Sequence, residues 1–289
     1  MNTIIKKYKK IIIFSLCAFF LISFITWIVW SNTAIELNEY TITSDRLPNP
    51  FNGYRIAHVS DLHNTEIGTD NEKVLTTLHN AEPDIIVITG DLIDSRNTNM
   101  EIALNFIQKA VQIAPCYYVI GNHEARIPEY SDLEKGLKNL GVIILNNKSV
   151  TIERSGQKIT LIGLDDPSFN KEVLLSDAEI ALANELEKLA YNLDTYSILL
   201  SHRPDLFDIY SAENIDLIFS GHAHGGQFRL PFIGGLAAPN QGLFPKYDAG
   251  VFTKNNTNMI VSRGIGNSRF PFRFNNRPEI VLIELESIQ

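Results

Sequence analysis

The sequence of 289 residues has only two cysteines, Cys17 and Cys116. Two cysteines are too few for a disulfide scaffold or for a zinc module built on thiolates. The chain also lacks internal repeats and low-complexity stretches. Hydrophobic residues make up 45% of it and charged residues 20%, which excludes a disordered or collagen-like protein. The composition therefore indicates a globular protein large enough to bury a full core.

Positive charge is scarce outside the N-terminus. None of the 33 acidic residues lies within the first thirty positions, which hold four of the 25 lysines and arginines. The remainder is therefore more acidic than the formal net charge of −8 for the whole chain. Proteins that bind nucleic acid normally present a basic face, so no nucleic-acid partner is expected.

The segment from Ile11 to Trp30 carries no charged residue. A helix of that length spans roughly 30 Å, the thickness of a bilayer core. Trp27 and Trp30 lie at its far end, where membrane proteins place interfacial aromatics, and the four lysines precede it. A cleaved signal peptide would have a shorter apolar region ending in small residues, so we favour a retained anchor. The segment predicts a single-pass cell-membrane protein with a cytoplasmic N-terminus and an extracytoplasmic catalytic domain.

After this anchor, short apolar runs alternate with helical segments. Each run is rich in Ile, Val, Leu or Tyr, as in the buried strands of a covered sheet. The runs are Tyr54–Val59, Asp84–Thr89, Cys116–Ile120, Tyr196–Leu200 and Ile215–Phe219. Capping boxes predict the helix starts at Thr69–Glu72, Thr98–Glu101, Ser131–Glu134 and Ser176–Glu179. The pattern predicts an α/β fold, with an anchor over residues 1–33 and one domain over residues 34–289.

Polar residues of one chemical kind follow each of these five strands. In chain order they are Asp61-Leu62-His63, Gly90-Asp91, Gly121-Asn122-His123-Glu124, Ser201-His202 and Gly221-His222-Ala223-His224. The carboxyl ends of strands in α/β sheets are where loops converge on ligands, so these residues are expected to meet. His58 and His79, which lie outside these motifs, are expected to be structural.

The residue types indicate divalent metal ions. Carboxylate, amide and imidazole ligands without thiolate favour manganese, iron or zinc. Asp61 and His63 are two residues apart, so an extended segment would point both side chains to one side. The ligands are too many for one tetrahedral ion, and two ions that share a bridging carboxylate account for the number.

In this order the motifs resemble those of the calcineurin-like metallophosphoesterases, over residues 54–286. The resemblance implies a β-sandwich flanked by helices. It also implies one ion on Asp61, His63 and His224, a second on Asn122, His202 and His222, Asp91 as the bridge, and His123 as the catalytic histidine. Glu124 and Ala223 depart from the family's usual Asp and Thr. The Gly-His-Ala-His-Gly-Gly-Gln ending and the anchor resemble bacterial membrane-associated phosphodiesterases, whose members include enzymes acting on phospholipids or UDP-2,3-diacylglucosamine.

The predicted activity is phosphodiester or pyrophosphate hydrolysis by a metal-bridging hydroxide, with His123 as a cation at the leaving oxygen. The expected substrate is an envelope phosphate ester, with a lipid-linked one favoured. A phosphomonoesterase or phosphoprotein phosphatase and a noncatalytic envelope-binding module stay as alternatives. Among the four arginines of the last thirty residues, Arg263 is the candidate for substrate binding. Apolar residues between Phe228 and Phe244 form either a lipid-facing rim or a cover for the core. The sequence does not indicate an oligomeric state.

Overall fold

The computed structural model describes residues 2–169, 175–191, 193–267 and 270–288. Their helices are α1 (Asn2–Thr33), α2 (Glu72–Asn80), α3 (Met100–Ala110), α4 (Tyr130–Asn139), α5 (Leu175–Ala190) and α6 (Phe207–Tyr210). Their strands are β1 (Glu36–Ser44), β2 (Tyr54–Val59), β3 (Ile85–Ile88), β4 (Cys116–Tyr118), β5 (Ile143–Ile144), β6 (Lys148–Arg154), β7 (Gln157–Gly163), β8 (Tyr196–Leu200), β9 (Leu217–Ser220), β10 (Arg229–Leu230), β11 (Gly234–Gly235), β12 (Ala237–Ala238), β13 (Gly242–Leu243), β14 (Gly250–Lys254), β15 (Thr257–Val261) and β16 (Glu279–Ser287).

Two six-stranded sheets form the body. The first has the order β1-β16-β2-β3-β4-β5, and the second has the order β14-β15-β9-β8-β7-β6. Strands β2 to β5 are parallel to one another, as are β15, β9, β8 and β7. In both sheets the parallel strands end toward the same loops, so residues from distant parts of the chain can meet there.

Three apolar layers hold the body together. One core lies between the sheets and includes Ile56, Leu161 and Phe219, all fully buried. A second core packs α2, α3 and α4 on the first sheet, and a third packs α5 and α6 on the second sheet. Because both faces of each sheet are covered, the strands read as continuous apolar runs. The expected β-sandwich flanked by helices is confirmed.

The five predicted strands are present, but the capping boxes do not set the helix starts. α3 begins after Asn99, whose side-chain oxygen accepts the Glu101 amide, instead of after Thr98. α2 begins after Asn71 and α4 after Glu129, and neither of these residues makes a side-chain capping bond. The side chain of Ser176, from the fourth box, lies outside the described part. Neighbouring polar residues compete for the cap, and loop packing selects among them.

Helix α1 contains a segment, Lys6–Thr33, that is long and apolar enough to cross a membrane. Only Ala34 and Ile35 separate α1 from β1, and Arg277 donates from Nε to the Ala34 carbonyl (3.0 Å) and from Nη2 to the Ile35 carbonyl (2.6 Å). The two residues that follow the helix are thus joined to the body by side-chain hydrogen bonds as well as by the chain. The division at residue 33/34 stays a prediction.

Candidate metal centre

Left-handed backbone shapes the loops that carry the candidate ligands. Asp61, His63, Asp91, His222 and His224 all have positive φ angles, between 47° and 63°. Residues other than glycine adopt this conformation at a cost, and such strain concentrates at functional sites. The sequence-based expectation of an extended segment at Asp61 and His63 is wrong, because β2 ends at Val59 and the chain then turns. The two side chains still converge, through the turn.

The first cluster joins the β2 loop to the β9 loop. His224 Nε2 lies 3.2 Å from His63 Nε2 and 3.2 Å from Asp61 Oδ1. His63 Nε2 lies 3.7 Å from the same carboxylate oxygen. All three residues are buried, so these polar atoms face one another out of contact with bulk water.

The second cluster joins the β3, β4, β8 and β9 loops. His202 Nε2 lies 3.1 Å from Asn122 Oδ1, 3.1 Å from His222 Nδ1 and 3.3 Å from Asp91 Oδ2. The same Asp91 oxygen lies 3.5 Å from His63 Nε2 in the first cluster. The Asp91 carboxylate therefore stands between the clusters, and the structure brings all seven predicted ligands together.

The donor atoms fit divalent metal ions. Ions that bind imidazole at about 2.0–2.1 Å set neighbouring ligand atoms about 3.0–3.4 Å apart, which matches these separations. Burial lowers the pKa of His222 to about 4 and that of His224 to about 3, so both imidazoles are neutral and offer lone pairs. Burial acts against the charged form of His202, but the carboxylate of Asp91 outweighs it and raises its pKa to about 10. The protonated His202 places a positive charge beside the buried carboxylates, as a bound cation would. The His/Asp clusters suggest a dimetal site.

Glu124 fixes the loop that carries Asp91. Its buried carboxylate accepts the amides of Asp91 (2.8 Å), Gly121 (2.9 Å) and Ile93 (3.3 Å). Burial and the charge of Asp91 raise the pKa of Glu124 to about 7. A β-carbon at Gly121 would collide with the Asp91 carboxylate, so glycine is required at this position. The longer side chain of Glu124 therefore reaches both loops, and the departure from aspartate leaves the ligand loop fully bonded.

His123 stands beside the first cluster, with its ring 4.5 Å from that of His63 and edge-on to it. Its Nδ1 accepts the Ser95 amide at 3.0 Å and lies 3.4 Å from Asp94 Oδ1. Burial lowers the pKa of His123 to about 4. Burial thus favours a neutral ring, and the Ser95 amide at Nδ1 leaves the proton on Nε2, whereas the sequence led us to expect a cation. Sequence reasoning missed Asp94 and Ser95, although both follow Asp91 closely enough to signal a shared loop.

Comparison with known proteins now decides the family. The model of the calcineurin-like phosphoesterase family matches residues 54–226, more than half of the chain. The chain belongs to the calcineurin-like phosphoesterase family. Membership establishes a hydrolase of phosphoester bonds and agrees with the two clusters described above.

Several curated relatives resemble this phosphoesterase along most of its length. The uncharacterized metallophosphoesterase YkuE of Bacillus subtilis is 31% identical over 258 residues, which cover 88% of this chain and 86% of YkuE. The phosphodiesterase YaeI of Escherichia coli is 27% identical over 207 residues, 71% of each chain. A zebrafish (Danio rerio) transmembrane protein with a metallophosphoesterase domain is 27% identical, over 86% of this chain and 56% of its own. The apolar helix and this transmembrane relative indicate membrane anchoring.

A solved structure supports the fold. The Thermus thermophilus protein TT1561 superposes with a TM-score of 0.51 over 73% of this chain and 90% of its own, at 13% identity. At that identity the likeness shows the fold alone.

Asp166 and Arg203 form a buried ion pair next to the predicted ligand His202. Arg203 follows His202 in the chain and pairs with Asp166 at 2.7 Å, and both side chains are buried. The sequence analysis did not find this pair, because its members are 37 positions apart. Asn240 was missed as well; its Oδ1 lies 3.2 Å from His222 Nε2 and orients that ring.

Arg263 occupies a different environment from the one predicted. Its guanidinium pairs with Glu279 at 2.5 Å and with Glu36 at 2.9 Å. Both carboxylates engage the guanidinium, and substrate binding by Arg263 stays a prediction. Of the other arginines in that region, Arg269 lies outside the described residues. His58, by contrast, is buried against Thr89 (2.7 Å), in the structural environment expected for it.

The neighbouring Asp165 gives a test of pH-dependent stability. Burial and the charge of Asp166 raise its pKa from 3.8 to about 7, and its Oδ1 has no hydrogen-bond partner within the described part of the chain. The folded protein therefore binds this proton more tightly than the unfolded chain, and stability is lost as the pH rises from about 4 to about 7. We expect Asp165→Asn to raise the free energy of unfolding by an amount of order 2 kcal/mol more at about pH 8 than at about pH 5.

Urea unfolding of both proteins at the two pH values measures this difference. The matched control is Asp166→Asn, which leaves Arg203 unpaired and should destabilise the protein at both pH values. An equal effect of Asp165→Asn at both values would contradict the prediction.

Proposed function

We propose that this chain is a binuclear metal-dependent phosphodiesterase or pyrophosphohydrolase. The observation that carries the proposal is the position of the Asp91 carboxylate between two clusters of imidazole and carboxylate ligands. In the proposal the first cluster holds one ion, the second cluster with Asn122 holds the other, and Asp91 bridges them. When bound, the two ions would act as Lewis acids and activate water for attack on phosphorus. Manganese, iron and zinc all suit these ligands.

His123 has the proposed role of hydrogen-bond donor. Because the Ser95 amide occupies Nδ1, the proton of the neutral ring is on Nε2. Nε2–H can donate to a phosphate oxygen or to the leaving oxygen while Ser95 and Asp94 hold the ring in place. Glu124, Arg203 and Asn240 orient the side chains around it without contacting substrate.

We further propose an envelope phosphate ester, favouring a lipid-linked one, as the substrate. Helix α1 would span the cell membrane with Lys6, Lys7, Lys9 and Lys10 on the cytoplasmic side, which leaves the catalytic domain outside. The relative named phosphodiesterase YaeI supports diester chemistry.

The test is hydrolysis by the full-length chain purified in detergent, stripped of metal and reloaded with manganese or zinc. We expect about two ions per chain and faster cleavage of bis-para-nitrophenyl phosphate than of the monoester. Phospholipids and UDP-linked lipids then test the substrate class. Binding of fewer than one ion per chain, or no hydrolysis of any ester with either metal, would contradict the proposal; preference for the monoester would support the phosphatase alternative.

A further inference from the structure

The end of the membrane helix packs directly on a segment that leads back to the metal centre. Phe274 stacks on Trp27 with ring centroids 5.9 Å apart and also contacts Phe24 at 6.5 Å. One residue before it, the Arg273 amide donates to Asn32 Oδ1 (2.7 Å), and the Arg273 carbonyl accepts from Asn32 Nδ2 (3.0 Å). The segment is therefore attached to the side of the helix, not only to its end.

This attachment fixes the depth of the segment relative to a bilayer. Tryptophans near the end of a membrane helix mark the interface between headgroups and acyl chains, and Trp27 and Trp30 are both exposed here. Phe24 lies about one helical turn deeper, roughly 4.5 Å along the axis. Because Phe274 contacts Phe24 and Trp27 together, the body reaches down to the interface at this point.

Six large apolar side chains are exposed on the loops around this contact. We call them the apolar rim: Phe232, Ile233, Leu243, Phe244, Phe270 and Phe272. Each is at least 40% exposed, and Phe232 is fully exposed. Clusters of exposed apolar side chains are typical of interaction sites on proteins.

The loops that carry the rim residues contact one another. Phe228 packs edge-on against Phe270 (5.3 Å) and Phe272 (5.4 Å). Its carbonyl accepts the Leu236 amide (2.7 Å), and the Leu236 carbonyl accepts the Phe244 amide (2.8 Å). Packing and hydrogen bonds therefore connect the loops that carry Phe232, Phe244 and Phe272.

The rim also borders the metal centre. The turn that precedes Leu243 and Phe244 carries Asn240, whose Oδ1 lies 3.2 Å from His222 Nε2. Gln227, three residues after His224, donates to the carbonyls of Phe270 (3.3 Å) and Phe272 (2.8 Å). The exposed apolar groups and the candidate ligands thus lie on the same loops.

The charge around the rim suits a membrane surface. Residues 228–247 and 262–278 contain no aspartate or glutamate, although the chain has 33 acidic residues. Lys246 in the first segment is exposed. Arg229 of the same segment pairs with Asp248 (2.8 Å), which leaves the exposed aromatic side chains beside Lys246 to face outward. Aromatic groups next to an exposed lysine suit the interface of a bilayer that contains anionic lipids.

We propose that the apolar rim inserts into the interface of the same bilayer that α1 spans. A phosphate ester standing in that membrane then reaches the metal centre without leaving the lipid. The inference rests on the proposed membrane anchoring and extends the proposed substrate class to esters presented by the bilayer. It assigns the rim to lipid, and not to the core or to a second copy of the chain.

Spin labels placed on the full-length chain in vesicles of phosphatidylcholine and phosphatidylglycerol test this. Burial raises the pKa of Cys116 to about 12, so that thiol stays unlabelled, while Cys17 in α1 is exposed. Labels are placed at Cys17 in the natural chain and, after Cys17→Ser, at Phe232→Cys or Phe272→Cys. The matched control is Ile180→Cys, an exposed apolar position on α5.

We expect labels at Cys17, Phe232→Cys and Phe272→Cys to collide several-fold more with oxygen than with a water-soluble nickel chelate. The Ile180→Cys label should show the reverse. If the Cys17 label is lipid-exposed and the two rim labels match Ile180→Cys, the rim proposal is overturned while anchoring stands; an aqueous Cys17 label overturns both. Rim labels shielded from both reagents and broadened by a neighbouring spin would assign the surface to a second copy instead. The measurement needs no turnover, so a failure to find hydrolysis leaves its result independent.

Discussion

Replacing Asp91 by alanine is expected to reduce phosphodiester hydrolysis by about 10³-fold or more and to lower the bound metal below two ions per chain. Its Oδ2 lies within 3.5 Å of both His63 Nε2 and His202 Nε2, so one substitution removes a donor from both clusters. It also removes the negative charge that raises the pKa of His202. The measurements are kcat on bis-para-nitrophenyl phosphate and metal content after dialysis.

Asp84 provides the control, because it is an aspartate at the other end of the same strand. Asp84 directly precedes β3, whereas Asp91 lies in the loop that follows β3. Its carboxylate accepts the Arg55 amide at 2.8 Å and lies at the opposite edge of the sheet. Asp84→Ala should keep its metal and most of its activity. An Asp91→Ala protein that retains two ions and normal turnover would disprove the bridging role.

Replacing His123 by alanine is expected to lower kcat by about 10²- to 10⁴-fold while the metal content stays unchanged. Only its Nε2–H faces the site, since the Ser95 amide occupies Nδ1. A hydrogen bond that stabilises negative charge on the leaving oxygen matters most when that oxygen is a poor leaving group. The loss should therefore be larger for an alkyl diester than for a para-nitrophenyl diester.

The control for this variant is His79→Ala, because His79 is exposed near the end of α2. It should leave kcat and metal content unchanged. If His123→Ala instead loses metal in proportion to activity, His123 is a metal ligand and not a hydrogen-bond donor to the leaving oxygen. Equal losses for both diesters would show that it does not act on the leaving group.

The strands and the edge that carries the site were predictable because both depend on short-range patterns. Runs such as Tyr54–Val59 and Tyr196–Leu200 are mostly apolar, and the structure gives those two strands the same bounds. Polar residues directly after such strands must lie at the sheet edge. The convergence of Asp61, Asp91 and His202 follows from that placement.

The remaining features depend on contacts between distant residues. Arg263 pairs with Glu36, which is 227 positions away in the chain, and no local pattern signals that partner. The left-handed conformation of Asp61 and Asp91 is imposed by loops that meet in the fold, since aspartate alone seldom adopts it. The predicted helix starts were wrong for a related reason. Thr98 and Asn99 can both cap α3, and the local sequence does not determine which of them does.

The hydrogen bonds from Arg277 to both residues that follow α1 join the short connection between the helix and β1 to the body. A domain on a flexible linker would reach substrates at many distances from the bilayer surface. If α1 anchors the chain as proposed, these hydrogen bonds would restrict the range of heights at which the metal centre stands above the bilayer. The short connection after α1 would then favour esters whose phosphorus lies within a narrow range of distances from the acyl chains.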